Sequence, residues 1–445
     1  MNDYLIVLVG GAEIGRVHRS RSGQLSFKYN EAWQRHPTAY PLSLSMPLAL
    51  TEHSHAKVDA FLWGLLPDNE RVIERWSQQY HVSPKYSFGL ISHVGEDVAG
   101  AVQFVRPERM GTIAREGQQN EIKWLKEHDV AERLRALRND HSAWRNANDT
   151  GQFSLAGAQP KTALLLQNGE WGIPSGRTPT NRILKPPTGE WDGHAENEHF
   201  CLELARALGF IVPPSKVMRF EDEIAIVIER YDRTYVDGNL VRVHQEDICQ
   251  AHGLPPTKKY ESEGGPGILS IVDLLRSQST SAADDIDRFI DATVYNWLIA
   301  GTDAHAKNYS VLIGTNAVRL APFYDLASIL PYKQLNLMKA KMAMRVGGMY
   351  RIRYIGVHQW TKMAEDIHVD GDRLIHRIRD LTQALPDHIQ TVRQQVTEQG
   401  LNHPLVTVLA DKLTERALHC RALLEVAAEK DVEPAPGTIQ TPSIP

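Results

Sequence analysis

Asp303, Asn308 and Asp325 are the residues whose types and spacing could do the most chemistry. They fall in GTDAHAKNYSVLIGTNAVRLAPFYDLAS, residues 301–328. An acid and an amide stand five residues apart in a short loop; a second acid follows after YSVLI, the turn GTN and AVRLA, which read as a hairpin. Phosphoryl transfer to a hydroxyl asks for such a set. One carboxylate accepts the hydroxyl proton, while an amide oxygen and another carboxylate hold Mg²⁺ on the nucleotide phosphates. Taken singly, Asp303 reads better as a turn cap and Asp325 as a helix cap than either does as a catalyst. Their order around a hairpin favours the chemical reading.

Asp-x4-Asn matches the spacing of a protein-kinase catalytic loop, although His305 follows the acid here instead of preceding it. Upstream, FSLAGAQPKTALLL (153–166) reads as strand, small-residue turn, strand. Ala156, Gly157 and Ala158 would let backbone N–H groups approach phosphate oxygens, and Lys161 could add a cation. A plain turn with an exposed lysine is the simpler alternative. A Walker loop is excluded: the second Gly before the Lys is missing, Pro160 stands there, and ALLL is strand-like. In NRILKPP, Lys185 ends an apolar strand, where it could reach the α- and β-phosphates or merely snorkel at an edge. Glu196 or Glu198, in the first turn of the following helix, could orient that lysine or simply suit the helix dipole. In VIERYD (227–232), backbone groups of Glu229 and Tyr231 could pair with an adenine edge.

Elements must hold these residues in place. A helix with Ile286, Ile290, Val294 and Trp297 on one face should deliver the Asp303 loop and stop at Gly301. Residues 1–105 read as short strands, with a hairpin turning at SRSG and a helix starting near Asp68 that buries Val72, Ile73 and Trp76. His53 and His55 there lack carboxylate or thiolate neighbours, so they read as solvated loop residues and not as a metal site. Stretches 107–121 and 145–152 are polar breaks, separated by a helix with a Val130, Leu134, Leu137 stripe.

A chain of 445 residues can bury ample core without staples. Three scattered cysteines argue for a reducing compartment, and no signal peptide or membrane span is evident, so a cytoplasmic protein without a membrane partner is expected. The net charge of −5 argues against a generally basic nucleic-acid binder. It conceals an asymmetry. From Leu326 to Ala364 there are seven Lys or Arg and no Asp or Glu, either a basic face for an acidic substrate segment or for DNA phosphates, or a solvated loop over core methionines.

The segments FSLAGAQPKTALLL, ILKPP, ENEHFCLELARALG, VIERYDR, VHQEDICQAHG, GTDAHAKNYS and LAPFYDLAS together resemble the HipA family, the serine/threonine kinase toxins of bacterial toxin–antitoxin modules. GLLPDNERV and GEDVAGAVQF extend the likeness to the N-terminal region. The resemblance implies an α+β, protein-kinase-like two-lobed fold with an N-terminal β-rich subdomain (1–106), a linker (107–125), a small lobe (126–232), an all-helical large lobe (233–430) and a disordered tail (431–445). It implies Asp303 as catalytic base, and Asn308 and Asp325 as ligands of Mg²⁺. ATP would meet the loop Ala156, Gly157, Ala158, Gln159, Pro160 and Lys161, then Lys185, the hinge Glu229, Arg230 and Tyr231, and His305, Ala306, Lys307, Asn308, Tyr324 and Asp325. Pro160 departs from the pattern, which suggests a more polar residue. Ser154 matches the family's autophosphorylation serine. The implied partners are a DNA-binding HipB-like antitoxin with its operator DNA, and an aminoacyl-tRNA synthetase as substrate, typically the glutamyl enzyme. Growth arrest and persistence would follow. A catalytically silent corepressor that strengthens antitoxin–DNA binding is the alternative, and the complete acid–amide–acid set speaks against it.

Overall fold

The computed structural model describes residues 3–112, 122–144, 153–175, 178–187, 189 and 191–430. The tail at 431–445, the polar break at 145–152 and most of that at 107–121 lie outside the described residues.

Alternating apolar residues build the first sheet. β1 (Asp3–Val9), β2 (Ala12–Arg19), β3 (Leu25–Tyr29), β4 (Glu52–His53) and β5 (Val102–Val105) run in the order β4-β3-β2-β1-β5. Leu5, Val7, Val17 and Phe27 point into one core with the helices α1 (Glu31–Gln34), α2 (His55–Gly64), α3 (Glu70–Tyr80) and α4 (Ser87–Val94). The expected helix is α3: the Asn69 side chain caps it by accepting from the Arg71 N–H, and Val72, Ile73 and Trp76 are buried. His53 is not solvated, and His55 is only half-buried. His53 is buried against Phe27 and Tyr29, and His55 accepts the Leu25 N–H at 3.1 Å. Among the described residues no group of three or more metal-ligating side chains gathers anywhere.

The small lobe is a six-stranded antiparallel sheet of β6 (Ile122–Leu125), β7 (Thr162–Gln167), β8 (Glu170–Pro174), β9 (Arg182–Lys185), β10 (Ser215–Phe220) and β11 (Glu223–Glu229), in the order β10-β11-β9-β7-β8-β6. Helix α5 (Glu127–Asn139) buries Val130 and Leu134 against Leu164, Leu184 and Ala225 of this sheet, and α6 (His194–Ala207) packs beside β10 and β11. Ile122–Leu125, expected in the linker, is instead the edge strand paired with β8.

The large lobe holds β12 (Arg233–Val236), β13 (Asn239–Arg242), β14 (Gln245–Asp247), α7 (Ile248–His252), α8 (Ile268–Gln278), α9 (Ala282–Ile299), β15 (Ser310–Gly314), β16 (Ala317–Leu320), β17 (Lys341–Val346), β18 (Met349–Arg351), α10 (Val357–Asp366), α11 (Gly371–Glu398) and α12 (Pro404–Lys430). It is mainly helical but not all-helical. Three small sheets, β12–β13, β14–β16 and β17–β18, interrupt it. Asp237-Gly238 and Gly347-Gly348 take positive φ at both positions, the geometry of a tight two-residue hairpin turn.

A buried ionic network ties the N-terminal sheet domain to the strand that links the lobes. Asp97 accepts from Arg233 (2.9 Å), Arg242 (3.1 Å) and Thr180 (2.7 Å), while Asp232 accepts from Arg230 (2.9 Å) and the Gly100 N–H (2.8 Å). Glu246 crosses the same junction by accepting the Leu44 N–H at 2.7 Å. Burial pushes its carboxyl up from 4.5 to about 8. The folded protein therefore holds a proton there that the unfolded chain releases, and stability falls as pH rises through that window. Relative to wild type, Glu246→Gln should gain melting temperature between about pH 5 and about pH 8.5; an offset independent of pH would refute the assignment.

Candidate active site

The face of α9 carrying Ile286, Ile290, Val294 and Trp297 is buried, which fixes the helix end that feeds the Asp303 loop. The left-handed residue ending the helix is Ala300 (φ 54°), not Gly301. Gly301 is required for space: a Cβ there would stand 2.4 Å from Asn296 Oδ1. The loop then closes on itself, with Asn308 Nδ2 donating to the Asp303 carbonyl at 2.8 Å. That bond leaves Asn308 Oδ1 as the amide's acceptor. Asp303 is exposed, and the Tyr260 hydroxyl donates to its carboxylate. Burial and the charge of Asp303 both raise the Tyr260 hydroxyl, so it remains a donor.

The hairpin β15–β16 returns the chain to Asp325, whose backbone is left-handed (φ 59°), a conformation Asp and Asn adopt more readily than most residues. Its Oδ1 accepts from Lys185 Nζ at 2.8 Å, and the same ammonium reaches Glu198 Oε1 at 2.7 Å. Glu198, not Glu196, is therefore the lysine's partner, and Lys185 is buried rather than snorkelling at an edge. Burial opposes both charges, but each holds the other. The lysines keep the Asp325 carboxyl well below the usual range, and Asp325 and Glu198 keep Lys185 above its own.

The small-residue loop sits opposite. Gly157 (φ 100°) packs so close that a Cβ would meet Lys161 Nζ at 2.5 Å, and that ammonium donates to the Ala156 carbonyl at 2.7 Å. Burial, then the charge of Lys185, lowers Lys161 to about 8. If this ammonium meets phosphate, ATP affinity should fall as pH rises through about 8, with proton uptake visible by calorimetry in two buffers. Affinity flat from about pH 7 to about pH 9.5 would count against that role.

At the adenine end, the Glu229 N–H donates to the Pro214 carbonyl at 2.9 Å. Pro214 has no N–H to return to the Glu229 carbonyl. The Tyr231 and Tyr324 rings stack at 5.7 Å. Asp303, Asn308, Asp325, Lys185, Lys161, Gly157, Glu229, Tyr231 and Tyr324 line one cavity of about 530 Å³ between the lobes, together with Gln159, Pro160, His305 and Lys307. Arg230 contributes to the wall, but its guanidinium turns away to Asp232 and the Val98 carbonyl. Ala306 is buried with its N–H on the Lys259 carbonyl and does not line the cavity. Ser154 lies behind the loop, fully buried, its hydroxyl donating to the Leu65 carbonyl at 2.7 Å. A larger cavity, about 970 Å³, opens behind α6 against residues 399–404 and shares none of these groups.

Asp68 was not expected in the site. It accepts from Lys259 at 3.1 Å and forms an ion pair with Lys307 at 3.1 Å, and its N–H donates to the Gly157 carbonyl at 3.0 Å. GLLPDN read as the approach to a helix, and nothing in its spacing tied it to residues some 190 or more positions away. Tyr260, in the charged run KKYESE, gave no signal either. The oxygen-only set of Asn308 Oδ1 and the Asp325 carboxylate suits a hard divalent cation such as Mg²⁺, which keeps its remaining positions for water and phosphate.

Comparison with known proteins agrees with this geometry. Residues 5–105 match the HipA N-terminal domain, and residues 153–389 match the HipA-like C-terminal domain. The Y4mE protein of Sinorhizobium fredii is 34% identical over 92% of this chain and 96% of its own. The serine/threonine-protein kinase toxin HipA of Shewanella oneidensis is 26% identical over the same shares. The HipA, HipB and operator DNA complex of that organism includes a chain that superposes with a TM-score of 0.81 at 24% identity, covering 96% of this chain and all of that one, so the fold is shared. No helix among the described residues is long and apolar enough to cross a membrane. With both family regions present and the cleft formed between the two lobes, this chain belongs to the HipA family and is a kinase.

Proposed function

We propose that the protein is a toxin kinase that moves the γ-phosphate of ATP to a serine hydroxyl of an aminoacyl-tRNA synthetase, the glutamyl enzyme first among them. The observation that carries the reading is the Lys185 ammonium held between Glu198 and Asp325 at 2.7 and 2.8 Å. Phosphoryl transfer needs little covalent help from the protein; it needs charge fixed around the phosphates. Lys185 and Lys161 supply cations, and the N–H groups of Ala156–Ala158 would cradle phosphate oxygens. Glu229 and Tyr231 would take the adenine edge. Asn308 and Asp325 would hold Mg²⁺, which when bound neutralises charge on the phosphates. Asp303 accepts the proton of the incoming hydroxyl, oriented by Tyr260.

Ser154 fits the role of self-inactivation. Its hydroxyl now donates to the Leu65 carbonyl, and its N–H to the Asp97 carbonyl at 3.0 Å. A phosphate there carries about −1.5 to −2 charge and cannot sit against a carbonyl, so the loop would have to leave its seat. A HipB-like antitoxin and operator DNA, the companions of the Shewanella oneidensis protein in its complex, are the proposed partners. The test is intact mass with phosphopeptide mapping after incubation with ATP and Mg²⁺. One phosphate on Ser154, absent from Asp303→Asn, is expected; a wild-type protein that modifies neither itself nor the synthetase would sink the reading.

A further inference from the structure

From the charge distribution around β17 and β18 we infer a docking surface for an acidic segment of the protein substrate, beside the phosphoacceptor hydroxyl. The inference rests on the kinase reading above. Its sequence basis is the carboxylate-free stretch from Leu326 to Ala364 with seven cations. The fold sets two of these cations opposite each other. Lys341 and Arg351 are direct partners across the hairpin, and both are exposed. Like charges directly opposed weaken a strand pair, so a face that meets only water gains nothing from this arrangement. Lys333 and Lys339, also exposed, precede the hairpin. Among the described residues none of these four cations has a carboxylate within ion-pair distance.

Arg345 is the exception, and it shows where the face lies. Its guanidinium and its N–H both bind Glu261, at 2.9 and 2.6 Å. Glu261 follows Tyr260, the residue whose hydroxyl rests on Asp303. The strand is thus joined through two neighbouring residues to the acid that must meet the substrate hydroxyl. Apolar surface is mixed in: Met338 and Tyr354 are about half exposed, at 54% and 48%, and Arg353 stands over the Tyr354 ring at 4.3 Å. Arginine, aromatic and methionine side chains together are the composition of a protein-binding patch. The polypeptide that brings a hydroxyl to Asp303 must pass this face, and carboxylates on it would relieve the Lys341–Arg351 repulsion. That proximity favours a protein segment over nucleic acid.

The test titrates three fluorescent probes into the full-length chain: a serine peptide flanked by Asp and Glu, its neutral counterpart, and a DNA duplex of equal charge. The acidic peptide should bind wild type. It should lose about tenfold or more in the double variant Lys341→Glu with Arg351→Glu, the difference shrinking as salt rises towards about 0.5 M. The neutral peptide should not discriminate. Melting temperature and ATP-analogue affinity report that the double variant is folded. No binding of the acidic peptide, equal binding by the double variant, or a duplex that outcompetes the peptide and is itself lost in the variant would each overturn the proposal. Phosphoryl transfer that survives in Asp303→Asn would count against the site assignment alone, because the binding assay needs no turnover.

Discussion

Asp303→Asn should bind ATP as wild type does and transfer almost none of it. A positioned general base contributes about 10²- to 10⁴-fold, and the loss should appear in kcat with the KM for ATP within about twofold. The geometry makes this clean. Asp303 is exposed at the mouth of the cavity and bonded by its carboxylate to Tyr260, while the loop is closed by its backbone carbonyl, so the substitution leaves the Asn308 bond in place. Single-turnover phosphate transfer to the protein substrate, with ATP-analogue binding measured alongside, checks it. Retention of more than about a tenth of wild-type transfer would remove Asp303 from the chemistry.

Asp325→Asn should be as severe for a different reason. The carboxylate is one of two anions on Lys185 and the charged member of the oxygen pair proposed to hold Mg²⁺. Its amide keeps the left-handed backbone that Asn adopts as readily as Asp, so loss cannot be put down to strain. Transfer should fall by about 10³-fold or more, and the dependence of nucleotide affinity on Mg²⁺ should vanish. Because Lys185 and Lys161 hold the Asp325 carboxyl far below its ordinary range, no acid limb from this group should appear in the wild-type rate above about pH 5. Equal Mg²⁺ dependence in variant and wild type would show that the metal sits elsewhere.

Much of this site was legible because phosphoryl transfer needs particular functional groups in a fixed chain order. The loop Asp303–Asn308, the hairpin and Asp325 could be placed from spacing, and Lys185 from its position at the end of an apolar strand. Glu198 could not be separated from Glu196 by sequence, since both lie in the first two turns of α6; only the direction of the side chain decides. Asp68 and Tyr260 were invisible because their partners are distant in the chain. The missed hairpins had signals, Asp237-Gly238 and Gly347-Gly348, overshadowed by the helical patterning around them. Helix α4 was missed because SFGLISHV is apolar almost all round and buried on nearly every side, so it has no periodicity to read.

The contacts of Asp97, Leu65 and Asp68 have a consequence for how such a protein can change over generations. Residues 5–105 form a separate family region, yet they supply counter-charge for Arg230, Arg233 and Arg242, the acceptor for Ser154 and an anchor for the Gly157 loop. Exchange of that region between relatives is then not a free recombination event. A donor segment without Asp97 would leave Asp232 alone to balance three arginines at a dry junction, so the two halves must be inherited as one piece although their boundary looks, in the chain, like a place to cut.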